Sequence, residues 1–155
     1  MDNNHLKNLI KIYSIAPINK FYKPKMSLSL GESTIEIKIR RKFFHTGQSV
    51  HGSVYFKMLD DAAYFASQTH EKEFFLYTVN FEVNFLKAVS KNVIISKGKL
   101  LKKGSNKLIS ESMLYSSNGE EIGFGKGIFV KSNILLKNLN KNNNYSFLVI
   151  LLCHL

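Results

Sequence analysis

The residues of this chain best suited by type and spacing to act on a carbonyl lie in HGSVYFKMLDDAAYFAS, residues 51–67. His51-Gly52 opens the stretch, and two adjacent carboxylates, Asp60 and Asp61, sit in its middle. A glycine at a helix entrance leaves backbone N–H groups unpaired and lets another molecule approach closely. The helix dipole adds partial positive charge there, which suits an oxyanion formed during attack on a carbonyl. Asp60 lies about two and a half turns further on, too far to serve the same carbonyl within one chain. A second subunit would have to supply one of the two groups. A mid-helix carboxylate in apolar surroundings is costly unless it is hydrogen-bonded, paired or held at an interface for a task. The structural alternative is one aspartate on a solvated face and the other capping or pairing locally. The two side chains point about 100° apart on a helix. Asp61 shares a stripe with Val54, Met58 and Phe65, whereas Asp60 lies nearer Ser53, Lys57 and Ser67, so periodicity makes Asp60 the more accessible.

Other chemistries find little support. No G-x-S-x-G occurs, and the five histidines (5, 45, 51, 70 and 154) show neither HExxH nor another metal spacing. The single Cys153 excludes an intrachain disulfide and a cysteine metal site, and fits a reducing compartment. GFGKG at 123–127 lies inside a strand pattern with no helix after it, so its glycines read as strand bends rather than a phosphate loop. The phrase GFGKGIFV faintly suggests an RNA-binding strand, but the order of elements is wrong for that fold.

The elements that must position these residues can be read from periodicity. Leu6, Leu9, Ile10 and Tyr13 predict a short amphipathic helix over residues 4–14, ending before APINKFYKPK and its two prolines. STIEIKIR alternates as a half-buried strand, RKFFHTGQSV reads as a loop, and residues 51–67 as a largely buried helix. Four strand-like runs follow, separated by turns that include Asn118-Gly119, and predict strands in hairpin succession. The class is α+β, an antiparallel sheet packed on one dominant helix. At 155 residues, with 45% hydrophobic residues, one domain with a real core is expected. The formal charge of +11 should attract anions such as nucleic acid, anionic lipid or a phosphorylated small molecule, although the abundance of Lys and Asn also fits a biased coding composition. The N-terminus lacks the apolar run of a secretory signal, its basic, acid-poor character is compatible with an organelle transit peptide, and FLVILLCHL is too short to span a bilayer. The expected location is cytoplasmic. The expected division is an N-terminal helix and lead-in over 1–25, the domain over 26–132 and a C-terminal extension over 133–155 that is weakly structured or docked.

HGSVYFKMLDDAAYFAS resembles the helix motif of hotdog-fold acyl-CoA thioesterases of the phenylacetate-degradation (PaaI) type, in which His-Gly-Gly precedes an Asp nine positions after the His. TVNFEVNFLKAV is similar to the strand that follows, GKLLKKGSNKLISESMLYSSNGEEIGFGKGIFV to the closing hairpins, and IYSIAPINKFYKP to the lead-in of one bacterial subgroup, so that the resemblance covers residues 5–132. It implies a long helix wrapped by an antiparallel sheet, paired into a dimer or a dimer of dimers with sites at the subunit interface. It further implies that Asp60 acts as nucleophile or general base, that the Gly52 N–H polarises the thioester carbonyl from the other subunit beside His51, and that Thr78 holds the water. His45 stands where many members carry Asn or Gln, Ser53 replaces the second glycine, and Asp61 adjoins the substrate. Lys102 and Lys103 belong to a basic run, Lys97 to Lys107, placed by the resemblance near the phosphates of coenzyme A. The expectation is acyl-CoA hydrolysis with no separate cofactor and no metal. The alternative is a catalytically weak hotdog module that binds acyl-CoA or a partner protein.

Overall fold

The computed structural model describes residues 3–139. Helix α1 (Asn3–Ile15) leads into α2 (Pro17–Tyr22), then strands β1 (Lys25–Ser29) and β2 (Glu32–Lys38), a 3-10 turn at Arg41–Phe43 and the central helix α3 (Gly52–Gln68). Strands β3 (Phe74–Phe85), β4 (Val93–Lys103), β5 (Lys107–Ser116) and β6 (Glu121–Leu135) and the short helix α4 (Leu136–Leu139) complete the chain. All neighbouring strands are antiparallel, in the order β1-β2-β4-β5-β6-β3, and the sheet wraps α3. This is the helix-in-sheet arrangement that the resemblance implied. None of the described helices is long and apolar enough to cross a membrane.

The lead-in holds two elements that the sequence reading did not place: Pro17 starts α2, where its missing N–H costs nothing, and β1 pairs with β2 from Lys25↔Glu36 to Ser29↔Glu32. Two expectations are corrected. The hairpin succession holds for β4, β5 and β6 only, because β3 crosses to the far edge and pairs with β6. Local alternation reports that a run is a strand but carries no information about its partner. The glycines at 123–127 are not bends: β6 stays paired through them, and a Cβ at Gly125 or Gly127 would lie 2.6 or 2.3 Å from the Phe81 ring. Their bare backbone makes the seat for that ring. Of the expected C-terminal extension, residues 133–135 complete β6 and Leu136 is buried in the core, while 140–155 lie outside the described residues.

The core forms where α3 meets the inner sheet face. Met58, Leu59, Leu76, Ile94, Leu114, Ile122 and Phe129 are each almost wholly buried, and each large side chain stabilises the fold by about 2 kcal/mol. Small residues on the sheet let the helix sit close. The hydroxyl of Ser33 donates to the carbonyl of Ala62 at 2.6 Å, and that of Ser112 to Leu59 at 2.7 Å. At the C-terminal end, Gln68 clamps helix to strand: its Nε2 donates to the carbonyls of Glu71 and Phe74, and its Oε1 accepts from the Tyr64 hydroxyl and the Leu76 N–H. A buried amide with all four contacts satisfied fixes the register between α3 and β3, and with it the position of Asp60 opposite Thr78.

Candidate active site

His51 builds the start of α3. Its ring Nδ1 accepts the Ser53 N–H at 3.0 Å and lies 2.8 Å from the Ser53 hydroxyl, while its carbonyl accepts the Val54 N–H. Because Nδ1 accepts, the ring proton of a neutral His51 resides on Nε2. An N-cap from histidine replaces the usual Ser, Thr, Asp or Asn. With Ser53 and Val54 satisfied by His51, the Gly52 N–H is the first-turn donor without an acceptor among the described residues. It opens on a pocket of about 260 Å³ walled by His45, Tyr55, Phe85 and Leu86. Glycine leaves room for the ring beside it, since a Cβ at position 52 would stand 3.3 Å from Phe85, which would have to shift slightly. His45 faces this pocket, but its ring is engaged locally: Nδ1 accepts the Gly47 N–H at 2.9 Å and Nε2 meets the Ser49 hydroxyl at 2.8 Å. It braces the loop that precedes His51.

Asp60 lies on a different cavity, of about 300 Å³, formed between α3, α1, α2 and β3. The two cavities share no lining residue. The Thr78 hydroxyl donates to Asp60 Oδ1 at 3.1 Å, which leaves Oδ2 for another partner. A register shift in β3 between Thr78 and Asn80 sets the strand's local geometry beside the site. Burial pushes the Asp60 carboxyl up to about 6, the neighbouring Asp61 charge adds to this, and the Thr78 hydrogen bond and Lys57 pull against it. The remaining walls are mainly apolar, with Ile12, Ala16, Ile18, Phe65 and Phe75 among them.

Asp61 is held apart from Asp60 by its own partners. The Tyr13 hydroxyl donates to Asp61 Oδ2 at 2.7 Å, and Lys57, one turn earlier on α3, forms an ion pair with the same oxygen. The Lys57 ammonium also lies over the Tyr13 and Tyr22 rings. The Tyr13 hydroxyl is pushed far above the usual tyrosine range by burial and by Asp61, so it remains a donor. Two carboxylates adjacent in sequence thus have distinct surroundings: Asp61 is paired with a cation and a phenol, and Asp60 faces the cavity with one hydroxyl for support. Lys103 Nζ donates to the carbonyl of His70 at 3.1 Å, beyond the far end of α3, and neither it nor Lys102 lines the Asp60 or Gly52 pocket within one chain.

Sequence reasoning missed Tyr13, Lys57 and the lead-in wall. The Lys57-Asp61 pair was legible as an i,i+4 spacing. Tyr13 stood on the apolar stripe of α1, and nothing in a local pattern links that stripe to a carboxylate 48 residues away.

Residues 47–122 match the thioesterase superfamily. Over 104 residues the chain is 27% identical to a Saccharolobus solfataricus protein named as an esterase, a match covering 66% of this chain and 74% of that one. In fold it is similar to the E. coli PaaI protein from the phenylacetic acid degradation operon, with a TM-score of 0.77 at 13% identity over 83% of this chain and 94% of that one. It is also similar to a thioesterase family protein from Silicibacter pomeroyi, with a TM-score of 0.76 at 19% identity over 81% and 96% of the two chains. For zebra fish thioesterase superfamily member 2 the values are 0.73, 18%, 82% and 98%. The thioesterase superfamily match over residues 47–122 is thus carried on a hotdog fold like that of the E. coli PaaI protein.

Proposed function

We propose that the chain hydrolyses acyl-CoA thioesters at a site completed by a second copy of itself. The observation that carries this reading is Asp60: a half-buried carboxylate on an apolar-walled cavity, braced by the Thr78 hydroxyl and titrating near 6. A base of that strength is mostly deprotonated at pH 7 yet basic enough to take a proton from water. In the proposed reaction Asp60 Oδ2 accepts a proton from water, the water oxygen attacks the thioester carbon, and the oxyanion is stabilised by the Gly52 N–H of the partner. Collapse of the tetrahedral intermediate expels the coenzyme A thiolate, which takes up the proton held by Asp60 and so restores the base. Direct attack by Asp60, forming an anhydride that water then opens, is the other route; single turnover in oxygen-18 water separates the two, because only the anhydride route leaves label in the protein carboxylate. The reaction draws on water and on the chain's own groups, and coenzyme A enters as part of the substrate.

Pairing of two copies is supported by the outer edge of β3, which no other strand among the described residues pairs with. Tyr77, Val79 and Phe85 along that strand, and Leu86 beside it, are large apolar side chains left about half exposed or more. An open twelve-residue edge of this kind is a template for another strand. Antiparallel pairing across it would bring the Gly52 pocket of one copy, which Phe85 and Leu86 wall, towards the Asp60 cavity of the other.

The test is release of free coenzyme A from short, medium, long and aromatic acyl-CoAs. Turnover of one or more of these classes is expected; an absence of thiol release from all of them would overturn hydrolysis in favour of a binding module. Asp61→Asn offers a second check. It removes the neighbouring charge that helps raise Asp60 and releases Lys57, whose charge lowers it, so the Asp60 carboxyl moves down. The wild-type kcat/KM profile should have its acidic limb near pH 6, and the variant's limb should lie at lower pH. An unmoved limb would mean that another group titrates there.

A further inference from the structure

The cavity beside Asp60 is walled on one side by a segment outside the superfamily match of residues 47–122. Ile12 on α1, Ala16 between the helices and Ile18 on α2 face Asp60 and Thr78 across it. The segment is anchored by contacts that those three side chains do not make. The Tyr13 hydroxyl is bonded to Asp61, its ring meets Phe65 edge-on at 4.9 Å, and the Asn19 amide donates to the Tyr13 carbonyl at 2.7 Å. The same Tyr13 that fixes Asp61 therefore fixes the wall. At the rim, Ile15 and Ile18 are 39% and 57% exposed, which gives the segment an apolar approach.

We infer that α1 and α2 form the far wall of the acyl-binding cavity, and that Ala16 and Ile12 set the length of the acyl group that enters. The inference rests on the acyl-CoA reading above and deepens it. The group admitted is neutral and apolar: the walls are mainly aliphatic and aromatic, and the one lysine on the lining, Lys57, is already paired with Asp61. An anionic end group would be repelled by Asp60, and a charge of either sign among the apolar walls beyond it would lose its hydration without gaining a partner. Ala16 is the narrowing position, since it presents a single methyl group where a larger side chain would project. Ile12 is the widening position, since its truncation removes bulk from the helical side of the wall.

The test measures binding of non-hydrolysable S-alkyl-CoA thioethers, from ethyl to dodecyl, by calorimetry. For the wild type, affinity should rise about fourfold per methylene while the chain enters the cavity, then level off at a definite length. Ala16→Phe should move that break to a shorter chain and Ile12→Ala to a longer one. Opposite shifts from two substitutions in one segment are not produced by general loss of folding. A break that stays in place in both variants, or a wild-type affinity independent of chain length, would overturn the inference. The same series as acyl thioesters, followed by thiol release, keeps the two readings apart. Chain-length-dependent binding without turnover would sink hydrolysis and leave the wall standing, whereas turnover with an unmoved break would sink the wall alone.

Discussion

Asp60→Asn should lose at least about 10²-fold in kcat/KM for acyl-CoA hydrolysis while becoming more resistant to thermal unfolding at pH 7. The loss follows from its proposed role, because an amide neither takes a proton from water nor attacks a thioester. The gain follows from linkage. The carboxyl of Asp60 titrates near 6 in the folded chain against 3.8 as a free side chain, so the folded state holds its proton more tightly than the unfolded state does. Below pH 3.8 both states are protonated and the group costs nothing; the cost grows as the pH rises through that value and is complete above about 6. At pH 7 it is on the order of 2 kcal/mol, and its removal should raise the melting temperature by roughly 4 to 8 °C in a chain of this size. Asparagine retains an oxygen for the Thr78 hydroxyl, so that contact survives. Melting curves of wild type and variant across pH 3.5–8 check the second half: the curves should converge at the acid end and separate towards neutrality. A variant less stable than the wild type at pH 7 would show that Asp60 is a structural residue, and unchanged turnover would remove it from the mechanism.

The second large effect is on the fold itself. Gly98→Ala should destabilise the protein by about 3 kcal/mol or more, enough to leave much of the variant unfolded if the domain has ordinary marginal stability. The reason is the closest approach of α3 to the sheet. A Cβ at position 98 would lie 2.1 Å from the carbonyl oxygen of Ala62 and 2.7 Å from the Ser33 hydroxyl that donates to it. The obstacle is helix backbone, so no rotamer change relieves it, and the helix must lift from β4 together with its other anchors. Asp60 and Asp61 immediately precede Ala62, so a variant that folds should also show weakened thioester hydrolysis. Chemical denaturation of Gly98→Ala beside Gly119→Ala provides the contrast. Nothing lies within 4 Å of a Cβ at Gly119, so that change carries only the strain of its positive φ, 79°. Equal stabilities for the two variants would contradict the close packing of α3 on β4.

The central helix, the alternating strands and the Asn-Gly turn were legible because their signals are local: a period of 3.6, a period of 2, and a dipeptide that tolerates positive φ. That Asp60 and Asp61 differ in surroundings was equally legible, since adjacent helix positions face directions about 100° apart. A greater accessibility of Asp60 is not what separates them, because both are half-buried on one cavity. The i,i+4 distance from Lys57 to Asp61 was in the sequence too, but its meaning required Tyr13. The place of β3 was not legible. A strand declares its two faces by alternation and does not declare its neighbour, and the neighbour of β3 is the last strand of the sheet. The glycines at 123–127 show the same limit, because whether a glycine bends a strand or seats a ring depends on which side chain arrives from the adjacent strand.

By itself, then, the sequence determined which residues form helix and strand, which faces are apolar, and that a glycine N–H and a carboxylate about two and a half turns apart on one helix cannot serve one carbonyl within a single chain. Tertiary structure alone decided that Asp61 is bonded to Tyr13 and paired with Lys57 while Asp60, on the same cavity, is bonded among the described residues only by Thr78 from an edge strand, and that the lead-in helices line that cavity. The physical reason is range. Propensity and periodicity act over a few residues, whereas burial and charge pairing depend on groups brought together from distant parts of the chain, and it is burial and neighbouring charge that set the chemistry of a carboxylate.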